Sequence, residues 1–207
     1  MNAAPAHPGL NLGETDAAAH GQAGSVLFGF WLFLMSDAVL FALLLATYGV
    51  MLPSTAGGPT PPDEYRIGAA LIETLILLTS SFTYGMGSLA MKYAACMPRL
   101  LLWLGVTLAL GAGFLAMEVH DFSTMIGHGA GPERSGFLSA FFALVPLHGL
   151  HVAAGCLWIA VMMVQLTVLG PDRQVKINLL RLGLFWHFLD IVWIAIFSVV
   201  YLQGLIQ

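Results

Sequence analysis

Two apolar runs of this chain carry ionisable residues near their middles. In SGFLSAFFALVPLHGLHVAAGCLW, residues 135–158, His148 and His151 stand three apart; in FWHFLDIVW, residues 185–193, so do His187 and Asp190. That spacing puts each pair on one face of a helix. Two histidines from one helix, with a histidine and a carboxylate from another, compose a donor set of the kind that binds zinc or a transition metal. The same residues can instead hydrogen-bond across helices and fix their packing. Gly149 and Ala153 then offer the small-residue contact that such packing uses. Position 149 is Gly, so the HExxH of a zinc protease is absent, and packing is the preferred reading. Asp37 and Glu73 suggest different chemistry, because acids at membrane depth mark proton paths. No continuous series of such acids follows them, which favours a protonated or paired carboxyl holding two helices together. Cys156 lies near His151 but reads as a small buried residue.

These groups need an explanation because of the elements that carry them. The 207-residue chain is 58% hydrophobic and only 9% charged, against about a quarter charged in a soluble domain. Long uninterrupted apolar runs point to an all-α integral membrane protein rather than to the alternating strands of a barrel. The net charge of −4 leaves no basic face for nucleic acid. Cys96 and Cys156 are far apart and form neither a disulfide framework nor a CxxC site. There is no GxSxG and no phosphate-cradling glycine loop.

Residues 1–24, rich in Ala, Gly and Pro, are expected to form a disordered cytoplasmic tail with no cleavable signal peptide, and residues 25–207 a five-helix transmembrane domain. The spans are predicted at about 26–52, 69–94, 100–118, 137–168 and 179–202. Glu73, Leu77, Ser80, Ser81 and Tyr84 recur at helical spacing, so the second span should turn this polar stripe into the bundle. GAGF at 111–114 lets the third span approach a neighbour closely, and Glu118 and Asp121 should close that span near an interface. Pro146 is expected to kink the fourth span. Trp31, Trp103, Trp158, Trp186, Trp193, Tyr48 and Tyr201 read as interface anchors or core packing. Lys92, Arg99, Arg173, Lys176 and Arg181 fall on the side of the N-terminal tail, against Arg66 and Arg134 opposite. That bias predicts a cytoplasmic N-terminus and an outer C-terminus.

Seven segments, in order, resemble subunit III of the haem–copper respiratory oxidases: FGFWLFLMSDAVLFALLLATY (28–48), TAGGPT (55–60), ETLILLTSSFTYGM (73–86), GAGFLAME (111–118), GPERSGFLSAFFALV (131–145), HGLHV (148–152) and LFWHFLDIVWIAIFSVVYL (184–202). Five spans and an aspartate at position 37 are similar to the bacterial quinol-oxidase branch; cytochrome c oxidase relatives generally have more spans and a glutamate there. Pro146 departs from the pattern. The resemblance implies an accessory subunit of a bacterial inner-membrane complex, with no catalytic, metal or cofactor-binding residue of its own. Haems and copper are then expected in subunit I, the main partner, with subunits II and IV in the same complex and phospholipid in a cleft splitting the bundle. Ligand arithmetic agrees, since two haems and a copper need about six histidines and only His148, His151 and His187 lie at membrane depth here. On this reading Asp37, Glu73, Glu118, His148, His151, His187 and Asp190 form a structural polar network. Subunit III of a cytochrome c oxidase, a stand-alone metalloenzyme using His148, His151, His187 and Asp190, and a proton-coupled carrier using Asp37 and Glu73 are the alternatives.

Overall fold

The computed structural model describes residues 17–57, 67–93, 97–170 and 172–202. Its helices are α1 (Ala17–Met51), α2 (Ile67–Tyr93), α3 (Met97–Gly127), α4 (Gly136–Leu169) and α5 (Arg173–Ile196), the last continuing as a π-helical turn over Phe197–Leu202. No strand occurs among the described residues. All five helices are long and apolar enough to cross a membrane. The 34 residues of α4 make a rod of about 50 Å, against ~30 Å of hydrocarbon, so it tilts or stands clear of the apolar layer. Of the expected tail, residues 1–16 lie outside the described residues, whereas Ala17 onward is already helical.

Besides α1, two helices extend by more than three residues beyond their predicted limits. The third does not close at Glu118 but continues through Asp121 to Gly127. The stretch HDFSTMIG reads as a polar loop, yet Ser123 and Thr124 both donate their hydroxyls to the His120 carbonyl, at 2.7 and 2.9 Å. Phe122 meanwhile packs on Phe141 and Phe142. The helix stops where Gly129 turns to φ +80°, with its N–H on the Ile126 carbonyl. Likewise α5 begins at Arg173 rather than near residue 179, because Val175 and Ile177 are already buried in the bundle. The fourth helix runs unbroken through Pro146. Ser135 caps its start by accepting from the Leu138 N–H, and Gly170 closes its end at φ +73°.

The bundle is organised on α5. Half of its most apolar stretch is buried, against 11% for α1. It packs against α1, α2 and α4, while α2 lies along α3, α3 along α4, and α4 along α1. Large aromatic side chains fill the space between, with Trp186, Trp193, Phe114, Phe41 and Tyr48 almost wholly buried. Arg181 near the start of α5 lies over the Phe30 ring of α1 at 5.2 Å, its charge partly covering an aromatic face.

The close approach of α3 to its neighbours depends on Gly111. A Cβ there would sit 2.8 Å from Cys156 Sγ and 2.8 Å from Trp186 Cη2, whereas one at Gly113 would meet nothing within 4 Å. Only the first glycine of GAGF therefore serves the contact. Ala153 is exposed, so the small-residue face of α4 runs through buried Gly149 and Gly155 instead. Gly111→Val should destabilise the protein by roughly 1–3 kcal/mol through overpacking, and Gly113→Val should be close to neutral. Thermal unfolding of the two variants in the same detergent checks the contrast.

Candidate functional site

The sequence-predicted polar residues lie in three separate places. The first joins α1 to α4. His151 Nε2 stands 4.0 Å from Asp37 Oδ2, both side chains about one-fifth exposed. His151 Nδ1 bonds the Leu147 carbonyl one turn back at 2.8 Å. A carbonyl can only accept, so Nδ1 carries a proton and Nε2 is the nitrogen turned to Asp37. At 4.0 Å the pair is outside hydrogen-bond reach, and its attraction becomes an ion pair when the imidazole is charged. Phe41 meets the same imidazole edge-on at 5.2 Å.

The second place is the interior between α2, α3, α4 and the end of α5. His148 is fully buried and neither of its nitrogens has a hydrogen-bond partner. Its ring stacks on Trp193 at 5.3 Å and meets Phe114 and Phe41 edge-on at 6.0 and 6.2 Å. The Glu118 carboxyl lies against the bare Cα of Gly149, in the space a side chain at that position would fill. Glu73 and Glu118 are near enough to act on each other electrostatically, and both act on Tyr201. Each acid leaves one buried oxygen, Oε1, without a hydrogen bond, and neither makes an ion pair among the described residues. Glu118 is 4% exposed, inside the bundle and within α3 rather than at its end.

The third place is the α2–α5 contact, where the polar stripe of α2 meets α5. Trp193 Nε1 donates to Thr74 Oγ1 at 3.0 Å and Trp186 Nε1 to Ser80 Oγ at 3.1 Å. Ser81 Oγ bonds His187 Nδ1 at 2.5 Å, and the Tyr84 hydroxyl donates to the Leu179 carbonyl at 2.6 Å. Behind His187, Asp190 Oδ2 lies 3.9 Å from the same Nδ1, and both Asp190 oxygens lack hydrogen bonds. On the other side of α2, Thr83 bonds Thr107 of α3 at 2.8 Å.

This geometry separates the four residues of the metal-site alternative. No hydrogen bond or ion pair links His148 or His151 to His187 or Asp190 among the described residues. No three His, Cys, Asp or Glu side chains converge there as metal ligands would. Contact between α4 and α5 is aromatic instead: His148 on Trp193, His151 beside Phe185, and Trp158 beside Phe185. The glutamate, both serines and the tyrosine of the predicted stripe do face α5 or the interior. Reading the sequence missed Thr74, Thr83 and Thr107, and gave the indoles of Trp186 and Trp193 no bonding role. A signal was present: the two tryptophans stand seven apart, two helical turns, and so present one face.

Comparison with known proteins agrees with this picture over nearly the whole chain. The family model described as cytochrome c oxidase subunit III matches residues 14–205. The chain is 49% identical over 193 residues to the cytochrome bo(3) ubiquinol oxidase subunit 3 of Pseudomonas aeruginosa, covering 93% of this chain and 92% of that one. It is 40% identical over 179 residues to the quinol oxidase subunit 3 of Bacillus subtilis, covering 86% of this chain and 87% of that one. It is 39% identical over 198 residues to the cytochrome c oxidase subunit 3 of another Bacillus, with 93% and 92% covered. A membrane bundle closed by tryptophan–hydroxyl bonds and aromatic stacking, and matched from end to end in this way, belongs to the cytochrome c oxidase subunit III family.

Proposed function

We propose that the chain is the non-catalytic third subunit of a terminal ubiquinol oxidase in a bacterial inner membrane. Such a complex reduces oxygen to water with electrons from quinol and moves protons across the membrane. The observation that carries this reading is the coverage of the match: a relative named as ubiquinol oxidase subunit 3 aligns over 93% of this chain and 92% of its own. Quinol rather than cytochrome c is read as the donor because the relatives at 49% identity carry the ubiquinol name, while the cytochrome c oxidase relative stands at 39%.

In this reading subunit I holds the haems and copper and is the main partner, and subunits II and IV belong to the same complex. This chain supports assembly, binds phospholipid along its apolar outer faces and in a lipid-lined cleft, and aids proton and oxygen supply to subunit I. Asp37, Glu73, Glu118, His148, His151, His187 and Asp190 act as structure-holding polar groups. Their placement supports that role: one pair bridges α1 and α4, two acids share the interior, and His187 ties α5 to α2. The excess of Lys and Arg on one set of connections supports a cytoplasmic N-terminus and a periplasmic C-terminus.

Gentle solubilisation of the native complex should bring down a haem-bearing chain with this one; recovery of the chain alone, with stoichiometric metal, would favour the metalloenzyme. His151→Leu removes the partner of Asp37 and leaves a carboxyl at membrane depth. It should lower the yield of assembled oxidase several-fold, while the haem absorption spectrum of what does assemble stays unchanged. Altered spectra at normal yield would instead place His151 in redox chemistry. A periplasm-dependent reporter enzyme fused to the C-terminus should be active, and a silent fusion would reverse the orientation.

A further inference from the structure

The outward face of α5 is a narrow seam. In the half of the helix beyond Leu182 and in the turn that follows, Leu184, His187, Ile191, Ile194, Ser198 and Leu202 are the exposed residues. From Leu184 to Ser198 their spacing alternates between three and four, the repeat with which one helix keeps contact with a second along its length. The other faces of α5 are covered by α1, α2 and α4. An apolar seam alone would suit lipid as well as protein. His187 decides between them.

His187 lies next to the midpoint of the span Gln174–Leu202, yet its side chain is 50% exposed. Its Nδ1 is turned inward, bonded to Ser81 Oγ and 3.9 Å from Asp190 Oδ2. The outward atom is therefore Nε2, which makes no hydrogen bond among the described residues. Lipid tails offer it no partner. The nearest headgroups are half the hydrocarbon away, about 15 Å, too far for an imidazole to snorkel. Other exposed polar side chains at membrane depth avoid this problem. The hydroxyls of Ser36, Thr47, Thr79 and Ser198 each donate to a carbonyl of their own helix. The ring of His187, held by Ser81, has no such carbonyl for Nε2.

We propose that this α5 seam, with Ser81 of α2 at its edge, is the docking face for a transmembrane helix of another subunit of the oxidase. That helix presents a hydroxyl, amide or carboxyl group to His187 Nε2 at mid-membrane. The proposal rests on the oxidase reading above and adds which face of the chain is covered and by what chemistry.

The test uses the intact complex in its native membrane. A photo-crosslinking amino acid replaces Ile191, which is 67% exposed in the seam. Illumination should join this chain to a different protein chain of the complex. In parallel, His187→Leu should lower the fraction of the chain retained on the oxidase after detergent extraction by roughly three- to tenfold, the range of one interhelical hydrogen bond in a membrane. His187→Gln keeps an outward hydrogen-bonding group and should retain most of it. Adducts to lipid alone, or to a second copy of this chain, overturn the docking face. Equal retention of both His187 variants and the wild type overturns the hydrogen bond to Nε2. A preparation without any haem-bearing chain sinks the oxidase reading and this proposal with it, whereas lipid adducts in a haem-bearing preparation sink this proposal alone.

Discussion

Two indole hydrogen bonds set the arrangement of this bundle. Trp186 and Trp193 point from α5 to Ser80 and Thr74 of α2. An indole N–H can only donate, and left unpaired in the bilayer interior it costs about 1–3 kcal/mol. Once those bonds are made, the ring positions follow. Trp186 reaches across to Gly111 of α3 and Gly155 of α4, and Trp193 lies under His148 and Phe114. One helix therefore registers three others through two side chains. The high burial of α5 goes with that central position.

The same constraint explains where the ionisable residues lie. Hydrocarbon provides no partner for a polar group, so most are turned to another helix or sealed inside, and His187 keeps one of its nitrogens on a neighbouring helix. Gly149 makes room for the Glu118 carboxyl by having no side chain, and the adjacent His148 is enclosed by three aromatic rings. Asp37 and His151 face each other where α1 meets α4, and His187 is held by Ser81 where α5 meets α2. These are helix-to-helix positions distributed through the bundle. On the outer face, His187 keeps its Nδ1 on Ser81 while half of its side chain is exposed.

Much of this was legible before any coordinates. Hydropathy fixed the number of spans, because a bilayer demands long apolar runs and loops cannot hide in it. The α2 stripe announced itself by its three-to-four spacing and does face inward. Helix ends were less legible. HDFSTMIG looked like a loop by composition, but Ser and Thr hydroxyls can donate to their own helix, and so polarity did not end α3. Val175 and Ile177 in the GPDRQVKIN connection pack as core because tertiary contact outweighs a polar neighbourhood.

By itself the sequence determined the class of protein, the five crossings, the family motifs and the scarcity of histidine ligands. These depend on composition, length and local order, which are properties of the chain alone. Only the tertiary structure decided which polar residues meet. A spacing of three places His148 and His151 on the same side of a helix, yet one ends in an aromatic cage and the other opposite Asp37. His187 and Asp190 likewise part, one exposed and the other buried. A helical face is about a third of a turn wide, and small rotations of neighbouring helices choose what stands opposite each residue on it. That choice is made by packing among distant segments, which no local pattern encodes.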